Sequence, residues 1–336
     1  MTKIRIALAQ TWPVSADEGP AKLEKAHTTT PFPTIEQNLI DVERRVKDAA
    51  AHKADVVVFP EYFLQGIANE GRQYLTFPSV HLTSFLQALA KRHSISIVGT
   101  IVHGTHPPSA GNAAFPTGSP FEHLLSGAKP GGKITPAQLE WAKWLQQHPS
   151  SAEENSEPVL HNTAFFIDEN GDLLGEYIKE NLWHPERDYL TAGTGKPAVF
   201  QTKWGKAGFQ ICPAQTLADL GADIIFHPTY WMATDSEPHV SRHEHSSNYE
   251  TSVLSALCFA RSFETETVWV MCNAGGAEYE GFMGGSAVWA PLRGRIGGFD
   301  SYQVGVSVVE VDVASVVKDG RSLYKIREDW AAKQAS

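Results

Sequence analysis

Short apolar runs with β propensity alternate along the chain with segments of helical periodicity. In residues 35–52, apolar side chains recur at spacings of three and four, which predicts an amphipathic helix. The continuous apolar run at 56–59 predicts a buried strand, and alternation of such strands with helices is typical of an α/β fold around a central sheet. The predicted strands are 4–10, 55–60, 95–101, 161–167 and 173–179, and a second helix is predicted at 82–93.

The dipeptide Asn170-Gly171 separates the last two of these strands. Because this pair favours left-handed backbone at both central positions of a tight turn, it predicts a β-hairpin. The second strand of that hairpin would end at Lys179.

A weak internal repeat relates residues 54–63 to residues 222–231, which align without gaps. Both copies are apolar strands that end at a proline, which cannot continue a sheet ladder. The residues that follow are therefore expected at the carboxyl edge of a sheet, where α/β proteins bind ligands. Glu61 of the first copy corresponds to Thr229 of the second, so the pattern predicts two related halves of which one supplies a carboxylate.

Two stretches, about 15–34 and 104–158, break this rhythm with proline, glycine and polar residues. The second is too long for an ordinary connection, which leaves two interpretations: a lid that shapes a binding site, or a passive surface insertion. Inside it, Thr135-Pro136 forms a good N-cap and first-turn pair for one short helix. The apolar stripe of that helix would consist of Leu139, Ala142 and Leu145.

Composition and charge narrow the class of protein. The 336 residues carry a formal charge of −10 and no long basic run, which disfavours nucleic acid or an anionic membrane as a partner. Three cysteines, Cys212, Cys258 and Cys272, are too few for a disulfide framework and predict a reducing, cytoplasmic location. The N-terminal residues lack the pattern of a signal peptide, and no apolar run is long enough to span a membrane.

Three features could support chemistry: Glu61 after a buried strand, Lys179 with Glu186 seven residues later, and Cys212 after the apolar run 207–211. Each alone has an ordinary structural interpretation. A buried cysteine is commonly an inert small apolar residue, a glutamate at a strand end is commonly solvated, and a lysine can simply cover a sheet edge.

Taken together, these residues resemble the motifs of the nitrilase superfamily, the carbon-nitrogen hydrolases. The resemblance runs from 4–10 to the strand at 305–313 and leaves out the two irregular stretches. The matching segments are Phe59-Pro60-Glu61, Tyr177-Ile178-Lys179 with Glu186-Arg187, Gly208 to Cys212, Ala260 to Glu264 and Gly284-Gly285-Ser286.

The resemblance implies a fold and an assembly. It implies one α/β domain over residues 1–336, a four-layer α-β-β-α sandwich with insertions at about 15–34 and 104–158. It also implies that the chain associates through its outer helices into a homodimer or a larger homo-oligomer.

The resemblance further implies hydrolysis of a non-peptide C–N bond in a small molecule, foremost an amide, without cofactor or metal. Cys212 would attack the carbonyl carbon and form a thioester, with Glu61 as the general base. Lys179 would stabilise the oxyanion, and Glu186 would keep that lysine charged and oriented.

One residue departs from the family pattern. The resemblance implies that the backbone N–H after the nucleophile is a second oxyanion donor, yet Pro213 has no N–H. Three explanations remain: a substitute donor such as Gln215 or Thr216, chemistry that relies on Lys179 alone, or a protein that binds without turnover. The alternative functions are therefore a nitrilase acting on a small nitrile, which needs the same thiol and carboxylate, and a catalytically silent small-molecule-binding protein.

Aromatic residues cluster in sequence around these positions. They would form the walls of a substrate pocket, although ordinary core packing accounts for them equally well. The candidate substrate-binding residues are Tyr62, Trp183, Tyr230 and Trp231.

A histidine-rich run could bind a divalent metal if it were helical, because His239 and His243 would then share one face with His245 nearby. A polar surface segment is the preferred interpretation, and no metal site is predicted.

Overall fold

The computed structural model describes residues 3–15, 30–69, 71–105, 114–126, 133–147, 159–209 and 214–334. No helix within these ranges is both long and apolar enough to cross a bilayer. The strands are β1 (Ile4–Gln10), β2 (Val56–Val58), β3 (Ser96–Thr105), β4 (Val159–Ile167), β5 (Leu173–Ile178), β6 (Val199–Thr202), β7 (Gly205–Phe209), β8 (Ile224–Thr229), β9 (Val268–Asn273), β10 (Ala287–Ala290), β11 (Gly294–Gly298) and β12 (Gly305–Val311). The α-helices are α1 (Pro33–Ala51), α2 (Ser79–His93), α3 (Glu122–Leu125), α4 (Pro136–Gln147), α5 (Ala214–Asp219), α6 (Tyr249–Thr265), α7 (Val313–Tyr324) and α8 (Ile326–Gln334).

The strands form two six-stranded sheets, in the orders β12-β1-β2-β3-β4-β5 and β11-β10-β9-β8-β7-β6. In the first sheet, the parallel strands β1, β2 and β3 lie between the antiparallel neighbours β12 and β4. In the second, the parallel strands β7, β8 and β9 lie between the antiparallel neighbours β6 and β10. The two halves share one pairing pattern, which confirms the predicted repeat.

The aspartate common to both repeat copies has the same local role in each half. Asp55 accepts a hydrogen bond from the Arg5 N–H (2.8 Å) and donates its own N–H to the Arg5 carbonyl (2.8 Å). Asp223 accepts from the Lys206 N–H (3.0 Å) and donates to the Lys206 carbonyl (2.7 Å). Each aspartate therefore aligns the start of a central strand with its parallel neighbour.

The sheets stack face to face, and helices cover their outer faces. Along β2, Val56 and Val58 lie in the core between the sheets, whereas Val57 lies beneath α1 and α2. Because successive strand residues face opposite sides, a strand covered on both faces must be apolar throughout. On the second sheet, Ile225 and Trp269 pack beneath α5 and α6. The fold is the predicted four-layer α-β-β-α arrangement.

The turn between β4 and β5 differs from the prediction. Only Gly171 has a positive φ (+87°), and Asn170 does not. The Asp168 carboxylate accepts hydrogen bonds from the backbone N–H groups of Asn170 (2.9 Å) and Asp172 (2.8 Å), so it organises a longer turn. The predicted pair of left-handed positions is therefore wrong, although β5 does end directly before Lys179.

The helix predicted within 104–158 forms as α4, capped as expected. Thr135 Oγ1 accepts from the Gln138 N–H (3.2 Å), and Gln138 Oε1 accepts from the Thr135 N–H (2.9 Å). Ala142 and Leu145 of the predicted stripe are buried, whereas Leu139 is half-buried, and the largest buried side chain of the helix, Trp141, was not predicted. Trp141 packs against Phe32 in the core over the first sheet.

We expect Trp141→Ala to lower the free energy of unfolding by about 3–5 kcal/mol, because it leaves a large cavity in that core. Urea denaturation of the full chain measures the change. Lys143→Ala, at an exposed position of the same helix, is the matched control and should change stability by less than about 0.5 kcal/mol. Equal stability of the two variants would show that α4 is not part of the core.

Candidate active site

The candidate site lies where the carboxyl ends of β2 and β8 meet. Glu61 follows β2, and its N–H donates to the carbonyl of Thr229 (3.2 Å), the equivalent residue of the other half. The rings of Tyr62 and Tyr230, also equivalent in the repeat, contact edge to face at 5.9 Å. The junction of the two halves thus places one carboxylate beside a threonine.

Lys179 lies between two buried carboxylates. Its Nζ donates to Glu61 Oε1 and to Glu186 Oε1, each at 2.8 Å, and no side chain of the three is more than 6% exposed. Burial alone would lower the pKa of Lys179, but the two carboxylates outweigh it and raise the pKa to about 12. The lysine is therefore held as a cation, and the described part of the chain supplies acceptors for only two of its three N–H groups.

The surroundings of Glu61 favour its protonated form more than water does. Burial raises the pKa of Glu61, although Lys179 and the amide of Asn162 act in the opposite direction. Both of these donors bind the same oxygen, since Asn162 Nδ2 also donates to Oε1 (2.7 Å). No hydrogen bond among the described residues uses Oε2, so this oxygen is available for proton transfer.

Glu186 has its oxygens occupied. Oε1 accepts from Lys179 and from the Tyr62 hydroxyl, and Oε2 accepts from the Trp183 N–H (2.7 Å). Such a carboxylate orients its neighbours and has little capacity left for a reactant.

Tyr62 adopts a left-handed backbone (φ +60°), which is rare outside glycine. A hydrogen bond from its N–H to Thr100 Oγ1 (3.0 Å) stabilises this conformation.

A cavity of about 650 Å³ opens beside these groups. Its wall includes Glu61, Lys179 and Glu186, so the structure brings these three predicted residues together. The four predicted aromatic residues, Tyr62, Trp183, Tyr230 and Trp231, also line it. Trp183 is 49% exposed, whereas Tyr62 is buried, so the aromatic wall reaches from the core to the surface.

The predicted nucleophile, Cys212, and Pro213 lie outside the described residues. Along the chain, Cys212 comes three residues after the end of β7, as Glu61 comes three residues after the end of β2. Among the described residues, neither Gln215 nor Thr216 lines the cavity, and Gln215 Nε2 donates to Asp219 along α5 (3.1 Å). These two suggested substitutes for the missing N–H are therefore not supported.

The structure also bears on the predicted lid and on the possible histidine metal site. Within the described part of 104–158, no residue lines the cavity, and α4 packs over the first sheet instead; those ranges do not support a lid. In the histidine-rich run, residues 240–242 form a single 3₁₀ turn and His243 is extended. The helix that a metal site required is not present there.

Sequence reasoning missed several residues of the site. Asn162 is a polar residue within the apolar strand β4, and that interruption is a signal that could have been used. His227 lies in the cavity wall, where burial and Lys179 lower its pKa to about 4, and the aligned repeat position is an ordinary phenylalanine, Phe59. Asp235 and Glu250 also line the cavity, and no motif marks them.

Comparison with known proteins gives one family. The model of the carbon-nitrogen hydrolase family matches residues 6–116 and 149–320. A probable nitrilase of Schizosaccharomyces pombe is 28% identical over 185 residues, 53% of this chain and 62% of that protein. An N-carbamoylputrescine amidase of Solanum tuberosum is 34% identical over 101 residues, 27% of this chain and 33% of that protein. The chain thus spans about one to two thirds of these relatives.

Solved structures agree in fold. A variant of an amidase of the nitrilase superfamily from Nesterenkonia superposes with a TM-score of 0.60, covering 97% of each chain at 18% identity. At this identity, the likeness supports the fold and not the activity.

We expect Lys179→Met to destabilise the protein by about 3–5 kcal/mol, because it leaves Glu61 and Glu186 buried without a cation. The loss should shrink as the pH falls towards about 4, because burial raises the pKa of Glu61 and such a carboxylate penalises the folded state only where it ionises in the unfolded chain. Urea denaturation across this pH range measures both effects. The triple variant with Glu61→Gln and Glu186→Gln is the control and should lack this pH dependence; a pH-independent loss in Lys179→Met would contradict the buried ion cluster.

Proposed function

Because the chain belongs to the carbon-nitrogen hydrolase family, we propose that it hydrolyses a non-peptide C–N bond in a small amide through Cys212. The supporting observation is Lys179 held at 2.8 Å from both Glu61 and Glu186 in the cavity wall. Beside a cavity of small-molecule size, the cation can stabilise an oxyanion and the carboxylate with a raised pKa can transfer a proton, which acyl transfer to a nucleophile requires.

The first half of the proposed reaction forms a thioester. Glu61 Oε2 takes the proton of the Cys212 thiol as the sulfur attacks the amide carbonyl carbon. The third N–H of Lys179 stabilises the negative charge that develops on the carbonyl oxygen. As the C–N bond breaks, Glu61 returns the proton to the nitrogen, and ammonia or an amine leaves.

The second half releases the acid. Glu61 accepts a proton from water as the water oxygen attacks the thioester carbon, and Lys179 again stabilises the oxyanion. Collapse breaks the C–S bond, the sulfur recovers a proton from Glu61, and a carboxylic acid leaves. Glu186 keeps Lys179 charged throughout.

Pro213 cannot supply the second oxyanion donor, because it has no backbone N–H. Among the described residues, Lys179 is the donor proposed for the oxyanion. Losing one of two such donors costs about a hundredfold to a thousandfold in rate, so the proposed enzyme would be slow on an unactivated amide. A small nitrile is the second candidate substrate, because the same thiol and carboxylate serve and a relative carries the name nitrilase.

The assembly also remains a proposal. The outer helix α6 exposes Phe259 and Phe263, which lie about one turn apart, and Phe259 is 52% exposed. Such side chains on one outer helix support association into a homodimer or larger homo-oligomer, in the reducing, cytoplasmic location expected from the cysteine count.

We expect ammonia release from at least one member of a panel of small amides and nitriles. Cys212→Ala should abolish it, and Glu61→Gln should lower kcat by about a hundredfold to ten-thousandfold because proton transfer is lost. Glu176→Gln, an exposed carboxylate on β5, is the matched control and should keep full activity. Turnover that survives Cys212→Ala would refute the assignment, and saturable binding without any turnover would favour a silent binding protein.

We expect iodoacetamide to modify Cys212 alone in the folded protein. Burial raises the pKa values of Cys258 and Cys272 to about 12, so both remain un-ionised thiols at neutral pH and react slowly. Intact mass should show one adduct in the native protein and none in Cys212→Ala. Equally slow labelling of all three cysteines would show that Cys212 is not an activated nucleophile.

A further inference from the structure

The charges in the cavity wall do not balance. Among the described residues, the wall carries two cations, Lys179 and Arg261. It carries four carboxylates, Glu61, Glu186, Asp235 and Glu250. The cations are already compensated, because Lys179 binds Glu61 and Glu186, and Arg261 binds Glu264 outside the cavity (2.8 Å).

Arg261 is also remote from Glu250 along its helix. It lies eleven positions after Glu250 on α6, about three helical turns away. Asp235 and Glu250 thus form an acidic part of the cavity in which the described residues place no cation.

Glu250 has an unused oxygen in this wall. It is only 6% exposed, and its Oε2 accepts from Trp231 Nε1 (2.8 Å). No hydrogen bond among the described residues uses Oε1. A carboxylate buried without a cation is costly, so the wall favours a positively charged occupant.

Asp235 interacts electrostatically with Glu250. Its Oδ2 accepts from the Met232 N–H (2.9 Å), and no described cation lies within ion-pair distance. Burial and the charge of Glu250 raise the pKa of Asp235 to about 6. A ligand cation would satisfy both carboxylates at once.

Aromatic rings complete this part of the wall. Tyr230 and Trp231 line the same cavity, and the indole N–H of Trp231 donates directly to Glu250. The faces of such rings attract organic cations, and most strongly when water is excluded. Carboxylates combined with aromatic rings favour an alkylammonium or guanidinium group over a hydrated metal ion.

We propose that the cavity binds a substrate whose far end is an organic cation, recognised by Asp235, Glu250 and the neighbouring aromatic rings. This inference rests on the proposed function, because the cation would be the tail of the amide whose carbonyl lies at Lys179. The predicted substrate class is therefore small amides with a terminal amine or guanidine.

Matched substrates test the proposal. Each ω-amino amide of two to six methylene groups is compared with the alkyl amide that carries a methyl group in place of the ammonium. At the best chain length we expect kcat/KM to be at least about tenfold higher for the cationic member. The preference should weaken in high salt, and the ω-carboxy amide should be the poorest substrate.

Two variants remove charge while keeping shape. Asp235→Asn and Glu250→Gln each retain an oxygen for the Met232 N–H and for Trp231 Nε1. In the double variant, we expect the ratio of kcat/KM between cationic and neutral amides to fall towards one, through KM. Glu237→Gln is the control, because this exposed carboxylate lies near Asp235 in sequence but outside the cavity wall, and the ratio should persist.

The outcomes separate this inference from the proposed function. Cys212-dependent hydrolysis with no preference for the cationic member, or a preference unchanged in the double variant, overturns the inference and leaves the hydrolase intact. If no amide is hydrolysed, the proposed function fails. The inference is then tested by binding: Cys212→Ala is titrated with an alkylamine and with the alcohol of the same chain length, and tryptophan fluorescence reports binding. Saturable binding of the amine that the double variant loses supports it, and equal response to both ligands overturns it.

Discussion

The site depends on one buried ion cluster, in which the Lys179 ammonium binds two carboxylates from different parts of the chain. Glu61 follows β2, Lys179 follows β5, and Glu186 belongs to the 3₁₀ helix at His184–Asp188. A buried charge is tolerated only with a partner at hydrogen-bond distance, so the ends of these elements cannot move apart without a large penalty. Within the described ranges, one N–H of Lys179 and Oε2 of Glu61 have no partner, so the same cluster has the free donor and acceptor that the proposed reaction uses.

The repeat explains where this cluster could arise. Two halves with the same strand pairing meet through the hydrogen bond from Glu61 to Thr229, and the aspartates Asp55 and Asp223 align the strands on each side. The strand pairing is thus the same in the two halves, whereas the candidate site residues differ, because the residue equivalent to Glu61 is Thr229. A second carboxylate at position 229 would repel Glu61, so the asymmetry limits the negative charge that the single lysine must stabilise.

Local patterns predicted the elements that local forces determine. The apolar run at β2 and the Thr135 cap of α4 are read directly from neighbouring residues, and both form as expected. The predicted geometry of the turn at Asn170-Gly171 was wrong, because the Asp168 carboxylate, outside the dipeptide, accepts hydrogen bonds from the backbone N–H groups of Asn170 and Asp172. Family motifs located Glu61, Lys179 and Glu186, but Asn162 and Glu250 enter the site through pairing between distant segments, which no spacing in the sequence encodes.

The two ends of the cavity differ in what they still require. At Lys179 each charged group has an opposite charge at hydrogen-bond distance, so a neutral amide group can approach without displacing an ion. In the proposed reaction, the cation acts as negative charge develops on oxygen. At Asp235 and Glu250 the described residues leave negative charge uncompensated beside aromatic rings, so this end gains most from a charged ligand. A cationic tail bound there would fix the distance of the amide from Lys179, and binding energy far from the reacting bond would serve to orient it.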